Sequence, residues 1–213
     1  MKLEGMTINF LGDSITQGVG TTSPEKLFHQ IIKKKYNLNF AYNYGLSGTR
    51  IARQVVPTKI STTHDLTFEL RAEIMERNVD AVVVFGGTND FGHGDAPFGD
   101  IDSDNADIYT FCGAVNSLIA KLKKDYEGKR IIFMTPLHRL NETNPDNPDG
   151  KILGDYASAI VKICKRNNVD VIDLFGINPL DPSDKVLVPD GLHPSDKGHE
   201  VMAEVIAMEL MKL

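Results

Sequence analysis

The sequence lacks the features that mark disulfide-bonded, membrane-spanning and nucleic-acid-binding proteins. It has two cysteines in 213 residues, so a disulfide framework is not supported. No apolar stretch approaches the roughly 20 residues that a membrane-spanning helix needs. The longest basic run is the three lysines at 33–35, and the formal net charge is −6, which argues against nucleic acid or an anionic membrane as a partner. These absences leave an ordinary globular protein as the expectation.

The sequence also lacks a recognisable secretion signal. Residues 1–5 lead directly into a strand-like run, and no separate apolar segment precedes it. A signal peptide would need such a segment. We therefore expect a cytoplasmic location for the chain as given, although a signal peptide that had been removed would leave no trace.

Five short strand-like runs alternate with helical patterns along the chain. The runs lie at 7–11, 40–44, 81–85, 130–134 and 169–174. The third is apolar without alternation, as a parallel strand buried on both faces should be. Such alternation predicts a parallel sheet with right-handed crossovers and helices on both faces. We expect one α/β domain over residues 1–213, with the flavodoxin-like strand order 2-1-3-4-5.

Apolar spacing locates the helices between these strands. The predicted helices are marked by Leu27 to Ile32, by Leu66, Leu70 and Ile74, by Ile108 to Leu122, by Ile152 to Ile163, and by a last segment from near Pro194 to the C-terminus. Cys112 and Cys164 fall on apolar helix faces, so we expect both to be small core residues. The stretches 86–106 and 136–150 are predicted loops, and loops this long are usually functional.

Five residues that could form a functional site follow the predicted strands, at the carboxyl ends of those strands. Ser14 follows the first strand, Gly48 the second and Asn89 the third, and Asp190 and His193 come after the last. Each has an ordinary explanation alone, such as a helix cap, a tight turn or an Asx-turn. Because the carboxyl ends of parallel strands share one edge of the sheet, however, these residues should converge. The joint pattern favours a functional site.

The converging residues are those that acyl transfer requires. A serine hydroxyl such as that of Ser14 is a weak nucleophile and needs a base, which His193 can supply. Asp190 can accept the other imidazole N–H and fix the tautomer. The backbone N–H groups of Ser14 and Gly48 and the side-chain amide of Asn89 are candidate donors to the oxyanion.

Four sequence blocks resemble those of the SGNH (GDSL-type) hydrolase family. Residues 12–16 are similar to the first block, 43–48 to the second with Gly48 at the oxyanion position, 87–90 to the third, and 190–194 to the last. The blocks occur in the family's order. The resemblance implies a three-layer α/β/α sandwich and hydrolysis of esters or thioesters without a metal or other cofactor. It does not fix a substrate, because the family includes sugar deacetylases, lysophospholipases, thioesterases and arylesterases.

Other classes of protein fit the sequence less well. It lacks the Gly-x-Ser-x-Gly elbow of α/β-hydrolases. It also lacks the Gly-rich phosphate loops expected of a nucleotide carrier on a related fold. A non-catalytic binding module would have no need of a base and its orienting acid, so the intact Ser/Asp/His set weighs against that alternative.

The composition of two loops favours a short acyl group on a polar alcohol. Residues 91–106 and 136–149 are rich in Asp, Asn, Gly and Pro and contain few large apolar residues. A long acyl chain gains roughly 0.8 kcal/mol per buried CH₂, but only where an apolar groove receives it. We therefore expect a small-molecule or saccharide ester, with acetyl on a carbohydrate as the best fit. The alternative is a lysophospholipase or acyl-thioesterase with a longer acyl pocket.

Further polar residues near the predicted site are weaker candidates. Asp13, His93, His138 and Arg139 are placed to contact substrate, although lone polar loop residues are usually only solvated. Asp13 should hold the turn rather than react. His199 is expected to be structural.

An acidic stretch copies the start of a calcium-binding loop. Asp100, Asp102 and Asp104 have the right spacing, but Asn105 and Phe111 replace the glycine and glutamate that such a loop requires. We expect a solvated acidic loop and no metal site.

Overall fold

A parallel sheet of five strands runs through the molecule. The structure, a computed structural model, describes residues 1–56, 62–145, 147 and 149–213. The strands are β1 (Thr7–Gly12), β2 (Phe40–Gly45), β3 (Ala81–Phe85), β4 (Arg130–Met134) and β5 (Asp170–Ile172). All neighbours pair in parallel in the order β2-β1-β3-β4-β5, which confirms the predicted topology.

Helices follow the strands on both sides of the sheet. They are α1 (Ser14–Gln17), α2 (Phe28–Lys35), α3 (Phe68–Ala72), α4 (Thr88–His93), α5 (Phe111–Asp125), α6 (Leu153–Arg166), α7 (Leu174–Ile177) and α8 (Asp196–Lys212). Two short 3₁₀ turns lie at Pro24–Lys26 and Thr62–Asp65.

The central strand β3 shows how the sheet divides the core. Val82 and Val84 belong to one apolar cluster, whereas Ala81, Val83 and Phe85 belong to the other. Successive side chains of a strand point to opposite faces, so an uninterrupted apolar run can serve two cores. Residues of α3 to α6 cover the first face and residues of α1, α2, α7 and α8 cover the second. The result is the three-layer α/β/α sandwich.

The two longest helices, α5 and α8, begin at residues whose side chains cap them. Thr110 caps α5 by accepting from the Gly113 N–H at 3.2 Å. Ser195 caps α8, with its Oγ accepting from the Gly198 N–H at 3.3 Å. The last helix therefore starts just beyond Pro194, since the N-cap has non-helical geometry. The cysteines of α5 and α6 are buried and free, which confirms that they are core residues.

The predicted inner face of α3 is wrong. Leu66, Leu70 and Ile74 are 43%, 36% and 78% exposed, whereas Phe68 is fully buried. The helix spans one turn and buries Arg71 beside Phe68, so a charged residue occupies an inward position. Periodicity counts such a residue as outward, and the apolar pattern therefore identified the opposite face.

The stretch 86–106 is not wholly a loop, as was predicted, because it contains α4. The helix begins immediately after Gly87, whose φ of 108° is accessible mainly to glycine. The second predicted loop, 136–150, has no helix or strand among its described residues, and residues 146 and 148 lie outside them. The fifth strand is shorter than predicted because Asp173 caps α7 through the Gly176 N–H at 3.0 Å.

Two structural features are missing from the residues that the structure describes. No helix there has the length and apolarity needed to cross a membrane. No group of three or more His, Cys, Asp or Glu side chains there is arranged to hold a metal ion.

Candidate active site

Three predicted residues meet at the carboxyl edge of the sheet. Ser14 is the first residue of α1, directly after β1. Its Oγ lies 3.0 Å from Nε2 of His193, although 179 positions separate the two in sequence. Nδ1 of the same imidazole lies 2.7 Å from Oδ2 of Asp190. The hydroxyl, imidazole and carboxylate thus form a continuous hydrogen-bonded chain.

The Asp190 carboxylate is held on both oxygens. Its Oδ1 accepts from the backbone N–H groups of Leu192 at 2.9 Å and His193 at 2.7 Å. Partial burial alone would raise the pKa of Asp190, but these hydrogen bonds and the one from the His193 ring outweigh it and lower the pKa to about 2. An ionised carboxylate can only accept, so Nδ1 carries a hydrogen and Nε2 faces Ser14 with its lone pair.

The turn that presents Ser14 depends on its neighbours. Asp13 accepts from the Ile15 N–H at 3.0 Å and caps α1, so it holds the turn. Burial raises the pKa of Asp13 to about 6, against the hydrogen bond from Ile15 and the nearby positive charges. A side chain at Gly12 would place its Cβ 2.9 Å from the carbonyl oxygen of Phe85. Only glycine therefore allows β1 to turn this close to β3.

The backbone N–H groups of Ser14 and Gly48 are available as donors, since neither donates to another described residue. Gly48 has a φ of 75°. Two hydrogen bonds tie its loop to the turn after β1. The Ser47 N–H donates to Oε1 of Gln17 at 2.6 Å, and the Leu46 N–H donates to the Gly12 carbonyl at 3.1 Å.

Asn89 lies in the first turn of α4 and is buried. Its Nδ2 donates to the Thr49 carbonyl at 2.9 Å. A side-chain amide has two N–H groups, so one remains for a ligand. The Thr49 side chain is in turn fixed by buried Arg71, whose Nη2 donates to Oγ1 at 2.9 Å. The amide is thus anchored to the loop that carries Gly48.

Asp90 strengthens the connection between these two loops. Its carboxylate accepts from the N–H groups of Ile51 at 3.1 Å and Ala52 at 2.9 Å. Burial raises the pKa of Asp90 to about 6, although these hydrogen bonds and the charge of Arg50 act in the opposite direction. The loops after β2 and β3 therefore form one hydrogen-bonded unit.

The remaining predicted contact residues separate into two groups. His93 donates from Nε2 to Asn89 Oδ1 at 3.0 Å, so it contacts the side chain of a candidate oxyanion donor. His138 is occupied elsewhere, with Nδ1 2.9 Å from Glu142 and Nε2 3.0 Å from the Phe175 carbonyl. The structure therefore does not bring His138 into contact with the triad.

Arg139, in the loop after β4, packs against α4 and not against the triad. Its Nη1 donates to the Thr88 carbonyl and to Oγ1, each at 3.3 Å, and its guanidinium lies 5.6 Å from the centre of the Phe91 ring. The next residue, Leu140, donates its N–H to the Gly191 carbonyl at 2.8 Å. The loop after β4 is thereby attached to the loop that carries Asp190 and His193.

Sequence reasoning missed Arg50 and Arg71, which are both buried. They occur in an irregular stretch and in a short helix, where no period marks an inward position. Their acceptors come from residues distant in sequence, such as the Tyr44 carbonyl for Arg71 and the His93 ring for Arg50. No local signal could have identified them.

A hydrogen-bonded serine–histidine–aspartate triad beside backbone N–H donors, on a parallel three-layer sandwich, defines a class of serine-type hydrolases. The chain belongs to the GDSL-like lipase/acylhydrolase family, whose model matches residues 10–201. It is accordingly an ester-hydrolysing enzyme.

Several known proteins are similar to this chain. The human isoamyl acetate-hydrolyzing esterase 1 homolog is 25% identical over 218 residues, which cover 90% of this chain and 75% of that protein. One crystal structure superimposes with a TM-score of 0.87 at 28% identity, covering 100% of this chain and 99% of the other. A mutant of an acetyl-xylooligosaccharide esterase from Geobacillus has a TM-score of 0.64 at 23% identity, covering 99% and 96%. This last likeness bears on the fold alone.

Proposed function

We propose that Ser14 is the nucleophile, His193 the general base and Asp190 the orienting acid of an esterase that works through an acyl-enzyme. Two contacts of His193 support this assignment most strongly. Its Nε2 lies 3.0 Å from Ser14 Oγ, and its Nδ1 lies 2.7 Å from Asp190 Oδ2. Both distances lie within the reach that general-base catalysis needs.

In acylation, Ser14 Oγ attacks the carbonyl carbon of the ester and its proton passes to Nε2 of His193. The carbonyl oxygen becomes an oxyanion, which accepts hydrogen bonds from the Ser14 and Gly48 N–H groups and from Asn89 Nδ2. As the intermediate collapses, the bond to the alcohol breaks, and the imidazolium returns its proton to the departing oxygen. The acyl group remains on Ser14.

Deacylation repeats these steps with water. His193 takes a proton from a water molecule, whose oxygen attacks the acyl carbon. The bond to Ser14 Oγ then breaks, the serine regains its proton from the imidazolium, and a carboxylic acid leaves. Asp190 stays ionised throughout, because it stabilises the imidazolium without accepting its proton.

The acyl group in this proposal is short, with acetyl on a carbohydrate or other polar alcohol as the best fit. The large apolar residues of the two flanking loops are turned inward: Phe91, Phe98 and Leu137 are buried in the two cores. Leu140, which packs over Gly191, is the exposed exception. Their burial leaves mainly polar groups on the outer surface of these loops, which suits hydroxyl groups better than a long alkyl chain.

One relative also supports a short acyl group, because the human protein is named for the hydrolysis of an acetate ester. A groove of about 820 Å³ with apolar residues Ile31 and Val201 does exist between α2 and α8. Its lining contains none of the triad residues, so it does not supply an acyl pocket to Ser14.

The test is kcat/KM across p-nitrophenyl esters from acetate to decanoate, with Ser14→Ala as the background control. We expect a maximum at acetate or propionate and a steep fall beyond butyrate. An optimum at octanoate or longer would favour a lysophospholipase or acyl-thioesterase. A companion series of acetylated sugars measures the preference for a polar alcohol.

A further inference from the structure

An arginine and a histidine outside the triad are joined to the candidate oxyanion donor. Arg50 Nε and Nη2 lie 3.3 Å and 3.0 Å from Nδ1 of His93. Nε2 of the same ring lies 3.0 Å from Oδ1 of Asn89. The three side chains form a second hydrogen-bonded chain, which ends at Asn89 as the triad ends at Ser14.

Hydrogen-bond chemistry fixes the direction of this chain. A guanidinium has donors and no acceptor, so Nδ1 of His93 accepts from Arg50 and carries no hydrogen. The neutral ring then has its hydrogen on Nε2, which donates to Asn89 Oδ1. Burial of the ring, together with the positive charge of Arg50, lowers the pKa of His93 to about 4, so the ring is neutral near pH 7.

These hydrogen bonds also fix the orientation of the Asn89 side-chain amide. Its carbonyl oxygen is held by the His93 N–H, and its Nδ2 is held by the Thr49 carbonyl, which can only accept. The terminal torsion of asparagine is roughly two-fold. A flipped amide would direct its oxygen to the position of the oxyanion and repel it. Both restraints therefore oppose the one rotation that would turn a stabilising donor into a repelling acceptor.

Burial distinguishes the Arg50–His93–Asn89 arrangement from a chance contact at the surface. Arg50 and Asn89 are both buried, and Arg50 lies close to the buried carboxylate of Asp90. His93 is exposed, yet both of its ring nitrogens are engaged. A solvated surface histidine would have no reason to bridge two buried side chains.

We propose that Arg50 and His93 are positioning residues that hold the Asn89 amide with its N–H directed at the oxyanion. This inference rests on the proposed function, because it assigns Asn89 the role of transition-state donor. Neither Arg50 nor His93 touches the reacting atoms, and both act through Asn89.

The experiment measures kcat and KM for p-nitrophenyl acetate in His93→Leu, His93→Gln, Asn89→Ala and the double variant His93→Leu/Asn89→Ala. Loss of one oxyanion donor typically lowers kcat by about 10²–10³-fold. We expect that loss in Asn89→Ala, and a loss of about 10-fold or more in His93→Leu with KM within about two-fold. His93→Gln, which retains a donor near the Nε2 position, should recover most of the rate.

The double variant distinguishes positioning from a general structural role. If His93 acts through Asn89, His93→Leu should cost almost nothing further once Asn89 is alanine. His138→Leu is the matched control, since that loop histidine also has both nitrogens bonded but lies outside the site, and its kcat should be unchanged. Thermal melts of all variants check folding.

Three results would overturn the proposal. The first is a loss in His93→Leu that persists undiminished in the Asn89→Ala background. The second is a wild-type kcat in His93→Leu while Asn89→Ala is impaired, which refutes positioning but leaves the proposed function intact. The third is a wild-type kcat in Asn89→Ala itself, which refutes the oxyanion role of Asn89 and the positioning with it.

Discussion

At the residue scale, Asp190 decides which nitrogen of His193 can take a proton. Its carboxylate accepts from Nδ1 and so leaves the lone pair of Nε2 facing Ser14. The same carboxylate accepts two backbone N–H groups of its own loop. It therefore shapes the loop and sets the tautomer together, and the two effects can be separated by mutation.

Asp190→Asn should lower kcat/KM by about 10²-fold or more while preserving the fold. The amide oxygen can still accept from the Leu192 and His193 backbone, but its N–H₂ group would face Nδ1 and favour the tautomer with hydrogen on Nε2. Such a ring cannot take the serine proton, and general-base catalysis contributes about 10²–10⁴-fold. Steady-state kinetics and a thermal melt measure the two effects, and a near wild-type rate would remove Asp190 from the proposed triad.

At the element scale, the stretch around α3 has an exposed and an inward side, which should contribute differently to stability. Ile74, in the turn after α3, is exposed, and the inward side carries Phe68 next to the buried guanidinium of Arg71, 4.7 Å from the ring centre. An apolar residue left in solvent has no packing to lose when it is replaced. Removal of a buried aromatic ring, by contrast, leaves a cavity.

Phe68→Ala should therefore lower the free energy of unfolding by about 3–5 kcal/mol. Ile74→Thr should change it by no more than about 0.5 kcal/mol. Urea unfolding followed by circular dichroism measures both. Equal losses in the two variants would mean that Ile74 is packed after all, as its apolar spacing with Leu66 and Leu70 had suggested.

The contrast between β3 and α3 explains which elements the sequence could predict. Residues 81–85 are apolar throughout, so any register buries them and the strand is predictable from composition alone. In α3 one inward position is Arg71, which is tolerated because the Tyr44 and Leu66 carbonyls and Thr49 Oγ1 accept its hydrogens. The acceptors on Tyr44 and Thr49 are brought to Arg71 by the tertiary fold, so they leave no local pattern in the sequence.

The same reasoning applies to the candidate site. Ser14 and Asn89 were predictable because each closely follows a strand, and parallel strands bring their carboxyl ends together. The Asp190–His193 pair lies beyond α7, and the chemistry of its two side chains made it predictable. Arg50 was not predictable, because its role depends on a ring 43 positions away.

At the scale of the whole molecule, the second core contains two buried histidines. His29 Nε2 lies 3.3 Å from the Thr16 carbonyl, and His199 Nδ1 accepts from the Phe28 N–H at 3.1 Å. Burial lowers the pKa of each to about 4. Unfolding releases them to take a proton near their ordinary pKa of about 6.5. The unfolded chain therefore binds more protons between about pH 6.5 and 4, and these groups reduce stability as the pH falls through that range.

Buried carboxyl groups oppose this trend. The pKa values of Asp13 and Asp90 are raised to about 6 by burial, so the folded chain binds more protons at these two sites as the pH falls below about 6. Their contribution to stability grows toward acid pH and is lost as the pH rises through about 6. A variant that removes one histidine is therefore needed to isolate the histidine effect.

His199→Gln should destabilise the protein most at pH 7.5 and less at pH 5. At pH 5 the wild type has already lost about 2 kcal/mol through protonation of unfolded His199, a loss that the glutamine variant does not share. Urea unfolding at both pH values gives the difference. Ile206→Val, on the buried face of α8 without a titrating group, should lose the same amount at both. An equal loss for His199→Gln at both pH values would show that its pKa is not depressed in the folded state.

Covalent labelling shows directly whether Ser14 is the nucleophile. The protein is incubated with a serine-directed phosphonate, and the modified residue is identified by peptide mass spectrometry, with Ser14→Ala treated in parallel. We predict one label per chain, on Ser14, with Ser14→Ala unlabelled, inactive and unchanged in melting temperature. Labelling of another serine, or turnover retained by Ser14→Ala, would show that Ser14 is not the nucleophile.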